Sequence, residues 1–252
     1  MNFQKENIKK SWYYSFLKKI YFYLFFKSKD YLLKLKYIII GKILGIDISL
    51  VSNNQNNNDY VHYQPAYTWY LRKIMKCFSI NQFDKLLDYG SGKGAAMIFF
   101  AKYHFSEIGG IEYNQYLHET AQNNFKLKKL DNLKSYNGDA SLFTDIDRYT
   151  YFFLYNPFIG KILELTIEQI KQSLIRNPRK INVLYQNPIG HDLFVNSELF
   201  PYITLCFIPS LLNINKNNKR YGRQFINIYS TEILHIEFAE YGIKLIDDNN
   251  VK

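Results

Sequence analysis

The chain has 252 residues, 47% of them hydrophobic and 18% aromatic, enough to bury one substantial core and leave an appendage. Its net charge of +10 is uneven: residues 1–50 carry ten Lys against three acids, and the whole chain has only six Arg, which speaks against a nucleic-acid-binding footprint on the remainder. Two cysteines, Cys77 and Cys206, make neither a disulfide framework nor a metal cluster, and no secretory leader is evident, so a reducing cytoplasm is expected.

From Ser11 to Ile40 there is no Pro and no Gly, and Tyr13, Leu17, Ile20, Leu24, Tyr31, Leu35 and Ile38 recur at helical spacing. Lys18, Lys29 and Lys36 lie roughly opposite, and Ser28 or Asp30 could cap a second helix within the segment. The longest uncharged run, Ile20 to Phe26, is far short of the roughly 20 residues a membrane span needs. Two arrangements suit a basic, aromatic, amphipathic helix: packing on the following domain, which is the expectation, or lying peripherally on an anionic inner membrane face, residues 11–40 making the contact. The polar tract Ser52–Asp59, SNNQNNND, marks the boundary between an appendage, residues 1–59, and a core domain, residues 60–252.

Beyond that tract strands and helices alternate. Strands are predicted at Phe83–Tyr89, Glu107–Glu112, Leu133–Asn137, Tyr151–Tyr155 and Ile181–Gln186, and helices at Ala95–Lys102 and Tyr116–Leu127. Farther on, Tyr202–Ile208 and Phe225–Tyr229 alternate like an antiparallel edge pair, flanking a basic polar loop, Asn213–Arg220. The pattern predicts an α/β, Rossmann-like, mostly parallel sheet with helices on both faces, and ligands in such sheets bind beyond the carboxyl ends of the strands.

The residues at those ends are informative. After the first strand comes DYGSGKG, Asp88–Gly94. It is not a phosphate-binding P-loop, because Leu87 stands where the first glycine belongs and Gly94 replaces the magnesium-binding Ser/Thr. Nor is it a dinucleotide fingerprint, whose glycines are spaced G-x-G-x-x-G, whereas here they are Gly90, Gly92 and Gly94. Lys93 reads as a solvated lysine at a helix start. The second strand ends in Glu112, placed to accept hydrogen bonds from ribose hydroxyls, and the third leads into Gly138-Asp139-Ala140, where an acid can accept from an adenine amino group. The fourth ends in Asn156-Pro157-Phe158; a second Asn-Pro, Asn187-Pro188, follows the fifth and reads first as a plain turn, with a place on the acceptor side as the alternative.

On these residues the stretch from Tyr60 to Pro188 resembles the class I, seven-strand S-adenosylmethionine-dependent methyltransferases, with LLDYGSGKG, GIEYN, GDA and YFFLYNPF as its four motifs. It is most similar to a bacterial subgroup with D-x-G-S-G-K-G and N-P-F motifs, related to the non-SET histone-lysine methyltransferase fold; Gly45-Ile46-Asp47 and Tyr63-Gln64-Pro65 also fit. The resemblance implies a seven-stranded sheet and S-adenosylmethionine as cofactor, leaving S-adenosylhomocysteine as product. It places Asp88, Gly90, Ser91, Gly92, Gly94, Glu112, Tyr113, Asp139 and Ala140 around that cofactor, with Tyr63 and Tyr67 covering it. It further implies that Asn156, Pro157 and Phe158 handle the acceptor: the Asn oxygen and a proline-turn carbonyl accept from the target N–H while the aromatic ring stacks on it. One proline stands here where the related D/N-P-P-Y/F motif has two.

The expectation is therefore a cytoplasmic enzyme that transfers a methyl group to nitrogen, on a protein lysine or amide rather than a nucleic acid, with a sugar or lipid hydroxyl as the alternative acceptor. Methyl transfer needs orientation and water exclusion more than a catalytic triad or a metal. In keeping with that, His62, His104, His118, His191 and His235 show no ligand spacing and read as structural or surface residues, with His62, near the predicted site, the first candidate for an exception. Two other readings are set against it: a nicotinamide-dependent oxidoreductase, and a non-catalytic cofactor-binding factor acting through the N-terminal helix at a membrane or in an assembly.

Overall fold

The computed structural model describes residues 32–51, 63–66, 68–208, 224–234 and 244–245. The expected caps Ser28 and Asp30, the tract Ser52–Asp59, and His62, Tyr67, His235 and the loop Asn213–Arg220 lie outside the described residues, as does the segment 11–31. The chain divides into two compact units, Met1–Leu50 and Val51–Lys252.

In the first unit helix α1 runs over residues 32–44. Gly45 ends it in the left-handed conformation (φ 64°). Gly45 N–H donates to the Lys42 carbonyl (3.2 Å) and Ile46 N–H to that of Gly41 (3.0 Å), the paired bonds of a Schellman stop. Tyr37, Ile46 and Ile48 are buried. Leu35 and Ile38, expected on the apolar face, are exposed, together with Leu32, Ile39 and Ile43. No helix among the described residues is long and apolar enough to cross a membrane.

The second unit is an α/β sandwich. After α2 (Thr68–Met75) come β1 (Lys85–Tyr89), α3 (Ala95–Phe100), β2 (Glu107–Glu112), α4 (Gln115–Lys128), β3 (Leu133–Asn137) and a short 3₁₀ turn at Ala140–Leu142. They are followed by β4 (Tyr151–Leu154), α5 (Gly160–Arg176), β5 (Asn182–Gln186), α6 (His191–Asn196), β6 (Tyr202–Ile208), β7 (Gln224–Ser230) and β8 (Lys244–Leu245). The sheet order is β3-β2-β1-β4-β5-β7-β6-β8. Strands β1 to β5 pair in parallel, and β7 is antiparallel to both β5 and β6. The expected mostly parallel sheet and its antiparallel edge are thus present. An eighth strand of two residues joins β6 (Cys206↔Leu245), extending the expected seven.

The period of two along each strand divides the core between the faces. Leu86, Phe153 and Leu184 face one side with residues of α2, α3 and α4, such as Ile74, Phe100 and Phe125. Their neighbours Leu87, Phe152 and Val183 face the other, against Ile162, Leu163, Ile167 and Ile170 of α5. Strands buried on both faces read as near-continuous apolar runs, and YFFL of β4 is buried at all four positions. Chain order reverses direction across the sheet between β1 and β4, so their carboxyl ends open the crevice in which such sheets bind ligands.

Candidate active site

A cleft at that switch point is lined by Tyr63, Asp88, Gly90, Ser91, Glu112, Tyr113, Ala140, Asn156, Pro157 and Phe158 among the residues the sequence singles out. Gly92, Gly94 and Asp139 are not among its lining residues, and Tyr67 lies outside the described residues. The cleft also uses Leu117 and Ala96, which no motif signals, together with Tyr155 of the YFFLYNPF motif and Asn187 of the second Asn-Pro. Leu117 was legible only as an apolar residue one turn into α4, whose N-cap is Asn114.

The glycine loop is built around close approach. Gly90 has φ 69°, and a Cβ there would sit 2.2 Å from Cβ of Pro157. Gly92 has φ 55°, and its Cβ would meet the Tyr63 ring at 2.3 Å. Only glycine lets the loop after β1 touch both the turn after β4 and the segment carrying Tyr63. The loop is tied to β2 as well: Gly90 and Ser91 N–H both donate to the Ile111 carbonyl (2.9 and 3.0 Å).

Glu112 is held in place by two backbone donors. Gly92 N–H reaches Oε2 and Asn114 N–H reaches Oε1, each at 2.8 Å. A carboxylate has about four lone-pair sites, so each oxygen keeps capacity for a ligand hydroxyl. Asp88, at the end of β1, is 2% exposed. Burial pushes its carboxyl well above the usual range, and the nearby Glu112 charge raises it further. Burial also raises Glu112, against the lowering effect of its backbone donors. Two buried carboxylates that repel each other form a site for positive charge and a poor one for phosphate. Among the described residues no Lys, Arg or His lines the cleft. The Ser91 hydroxyl is buried on the cleft wall and makes no hydrogen bond within the described protein.

Asp139 caps the turn that follows it, its Oδ1 accepting from Ser141 N–H (2.8 Å) and Oγ (2.7 Å), while Ala140 forms the cleft wall. At the other side, Asn156 has φ 47° and is 6% exposed. The Tyr185 hydroxyl accepts from Gly190 N–H (3.2 Å), so its own proton is free to go to Asn156 Oδ1, 3.3 Å away. Phe158 is buried and meets Tyr89 edge-on.

Lys93 corrects the sequence expectation. It is fully buried rather than solvated, with Nζ 5.3 Å from the centroid of the Tyr116 ring. The left-handed loop turns its stem inward beneath α4, whose Asn124 donates to the Lys93 carbonyl (2.9 Å). Of the described histidines, His118 lies 2.7 Å from Ser135 Oγ and His191 2.8 Å from the Tyr229 hydroxyl. No group of side chains suited to a metal occurs among the described residues.

No family model and no curated protein sequence matches the chain. Solved structures do. The human methyltransferase 10 domain containing protein is 12% identical, with a TM-score of 0.52 over 82% of this chain and 100% of its own. An S-adenosylmethionine-dependent O-methyltransferase from Thermotoga maritima is 16% identical, with a TM-score of 0.51 over 68% of both chains. The YcgJ protein from Bacillus subtilis is 19% identical at a TM-score of 0.42, and the chain spans 57% of its length. At these identities the likeness is one of architecture: the chain carries the Rossmann-like methyltransferase fold.

Proposed function

We propose that this protein is a cytoplasmic S-adenosylmethionine-dependent methyltransferase acting on a nitrogen acceptor, a protein lysine or amide. The observation that carries the proposal is the buried Asp88–Glu112 pair at the switch point, flanked by the unpaired Ser91 hydroxyl. S-adenosylmethionine carries an ammonium and a sulfonium together with two ribose hydroxyls, so it offers the charge and the donors this site takes. A nicotinamide dinucleotide would bring a doubly anionic pyrophosphate towards two carboxylates.

When bound, the cofactor supplies an activated methyl group. Glu112 would hold the ribose, fixed by Gly92 and Asn114 N–H; Asp88 would face the cationic end; Ser91 would gain the partner its hydroxyl lacks. Tyr63 lies against Gly92 as a cover, and the Asn156-Pro157-Phe158 turn supplies the acceptor side. The protein's task there is to orient the nucleophile and keep water out.

The test is Asn156→Ala. Affinity for S-adenosylhomocysteine should stay within about threefold of wild type, while label transfer from methyl-tritiated cofactor into cell-extract protein falls at least tenfold. Saturable NADH binding with no response to S-adenosylhomocysteine would replace this reading with an oxidoreductase.

A second reading attaches to the first unit, where α1 exposes Leu32, Ile39 and Ile43 beside Lys34 and Lys42. This combination favours contact with an anionic membrane surface. Co-sedimentation with phosphatidylserine vesicles, lost in Ile39→Asp/Ile43→Asp, is the expected result; equal pelleting with neutral vesicles or by the double variant would contradict it.

A further inference from the structure

Strands β4 and β5 are adjacent and parallel, with Leu154 opposite Tyr185 in the register. Two residues beyond each of these positions stands an Asn-Pro dipeptide, Asn156-Pro157 and Asn187-Pro188. The two turns are therefore equivalent in place as well as in sequence. Both asparagines adopt the left-handed conformation, with φ 47° and 54°, and both line the same cleft. Left-handed backbone is uncommon outside glycine, and asparagine is among the few residues that tolerate it. Two such residues at neighbouring strand ends point to a shared requirement rather than to two unrelated turns.

Their surroundings differ in a useful way. Asn156 is buried and its carboxamide is oriented by the Tyr185 hydroxyl, whereas Asn187 is exposed at the mouth. The side chains lining this part of the cleft, Tyr155, Asn156, Pro157, Phe158 and Asn187, carry no formal charge. Among these described side chains a lysine ammonium would find no carboxylate to pair with and no base to take its proton. A primary carboxamide is neutral, planar, and both a donor and an acceptor, as are the two asparagine side chains that would receive it.

We propose that Asn187 is the second acceptor-positioning residue, and that the acceptor group it recognises with Asn156 is the side-chain carboxamide of a protein glutamine or asparagine. This rests on the methyltransferase reading. The carboxamide nitrogen forms its bond to the methyl carbon as that carbon's bond to sulfur breaks. Sulfur keeps the electron pair, leaving a neutral thioether, and one N–H proton passes to water at the mouth.

The experiment uses the full chain saturated with S-adenosylhomocysteine, titrated with three peptides identical except for a central Gln, Lys or Glu. The Gln peptide should bind at least fivefold more tightly than the others. Asn187→Ala should weaken it at least tenfold and leave S-adenosylhomocysteine affinity unchanged. With methyl-tritiated cofactor, the Gln peptide should take up label that strong alkali releases as volatile methylamine, which N-methyl-lysine does not yield. Preference for the Lys peptide, absence of discrimination, or wild-type peptide binding by Asn187→Ala would overturn the inference. Failure of S-adenosylhomocysteine itself to bind would instead strike the methyltransferase reading beneath it.

Discussion

Asp88 and Glu112 set the electrostatic character of the cleft, and their cost to the fold is measurable. Because the folded-state pKa of Asp88 is raised, the folded protein holds this proton more tightly than the unfolded chain does. The group's contribution to stability is therefore greatest below the unfolded value, about 4, and is lost as pH rises through the folded one. Asp88→Asn removes the charge and keeps the shape. At neutral pH the unliganded variant should melt about 2–4 °C above wild type, the shift that roughly 1 kcal/mol gives in a domain of this size, and the two melting curves should converge below about pH 4. S-adenosylmethionine binding should weaken at least tenfold in the same variant. A melting point unchanged at neutral pH would mean that Asp88 is not strained by its burial. Gly90→Ala acts differently, since its Cβ would collide with Pro157. It should displace the Asn156 turn and abolish the thermal shift given by S-adenosylhomocysteine.

At the residue scale the sequence was legible where chemistry is local. The glycine spacing, the acid ending β2 and Asn156-Pro157-Phe158 are all contiguous signals, and the fold carries them to one cleft. Burial of Lys93 was not legible, because a lysine beside glycines looks solvated until α4 is laid over it. Asp139 also could not be assigned from its tripeptide alone: an Asp before Ala-Ser can cap a turn, and here it does.

Among the elements, β2 and β3 have the bounds the sequence predicts, and Ser106, Asn114, Asn132 and Gly138 stand close to their ends as breaks in the pattern. Strand β1 begins at Lys85 rather than Phe83. Asn81 binds Phe83 N–H through its side chain (2.8 Å) and Asp84 N–H through its carbonyl (3.0 Å), which holds those residues in a turn. Helix α5 went unpredicted although its buried residues Ile162, Leu163, Thr166, Ile167 and Ile170 have clear helical spacing. It starts directly after the Asn156-Pro157-Phe158 turn without a side-chain cap, so no start signal separates it from the motif. It is nonetheless a main support of that turn. Ile170→Ala, at a fully buried position, should cost about 2–5 kcal/mol in urea unfolding. A loss below 1 kcal/mol would mean that α5 is not packed as described.

For the second unit as a whole, sheet topology brings distant parts of the chain to one crevice. The glycine loop after β1, the acid ending β2, the turn after β3 and the Asn-Pro turns after β4 and β5 all open at the same edge. Strand alternation made this arrangement predictable, but the pairing of Asn156 with Asn187 was not, because it depends on the register between β4 and β5. The most direct test of the account is calorimetric titration of wild type and Glu112→Ala with S-adenosylmethionine, each in two buffers of different ionisation enthalpy. Binding of a cation beside two carboxylates with raised pKa values should release protons, and affinity should fall as pH drops through those values. The account predicts micromolar binding by wild type with net proton release, and loss of that binding in Glu112→Ala. No heat from wild type, or the same affinity in the variant, would contradict it.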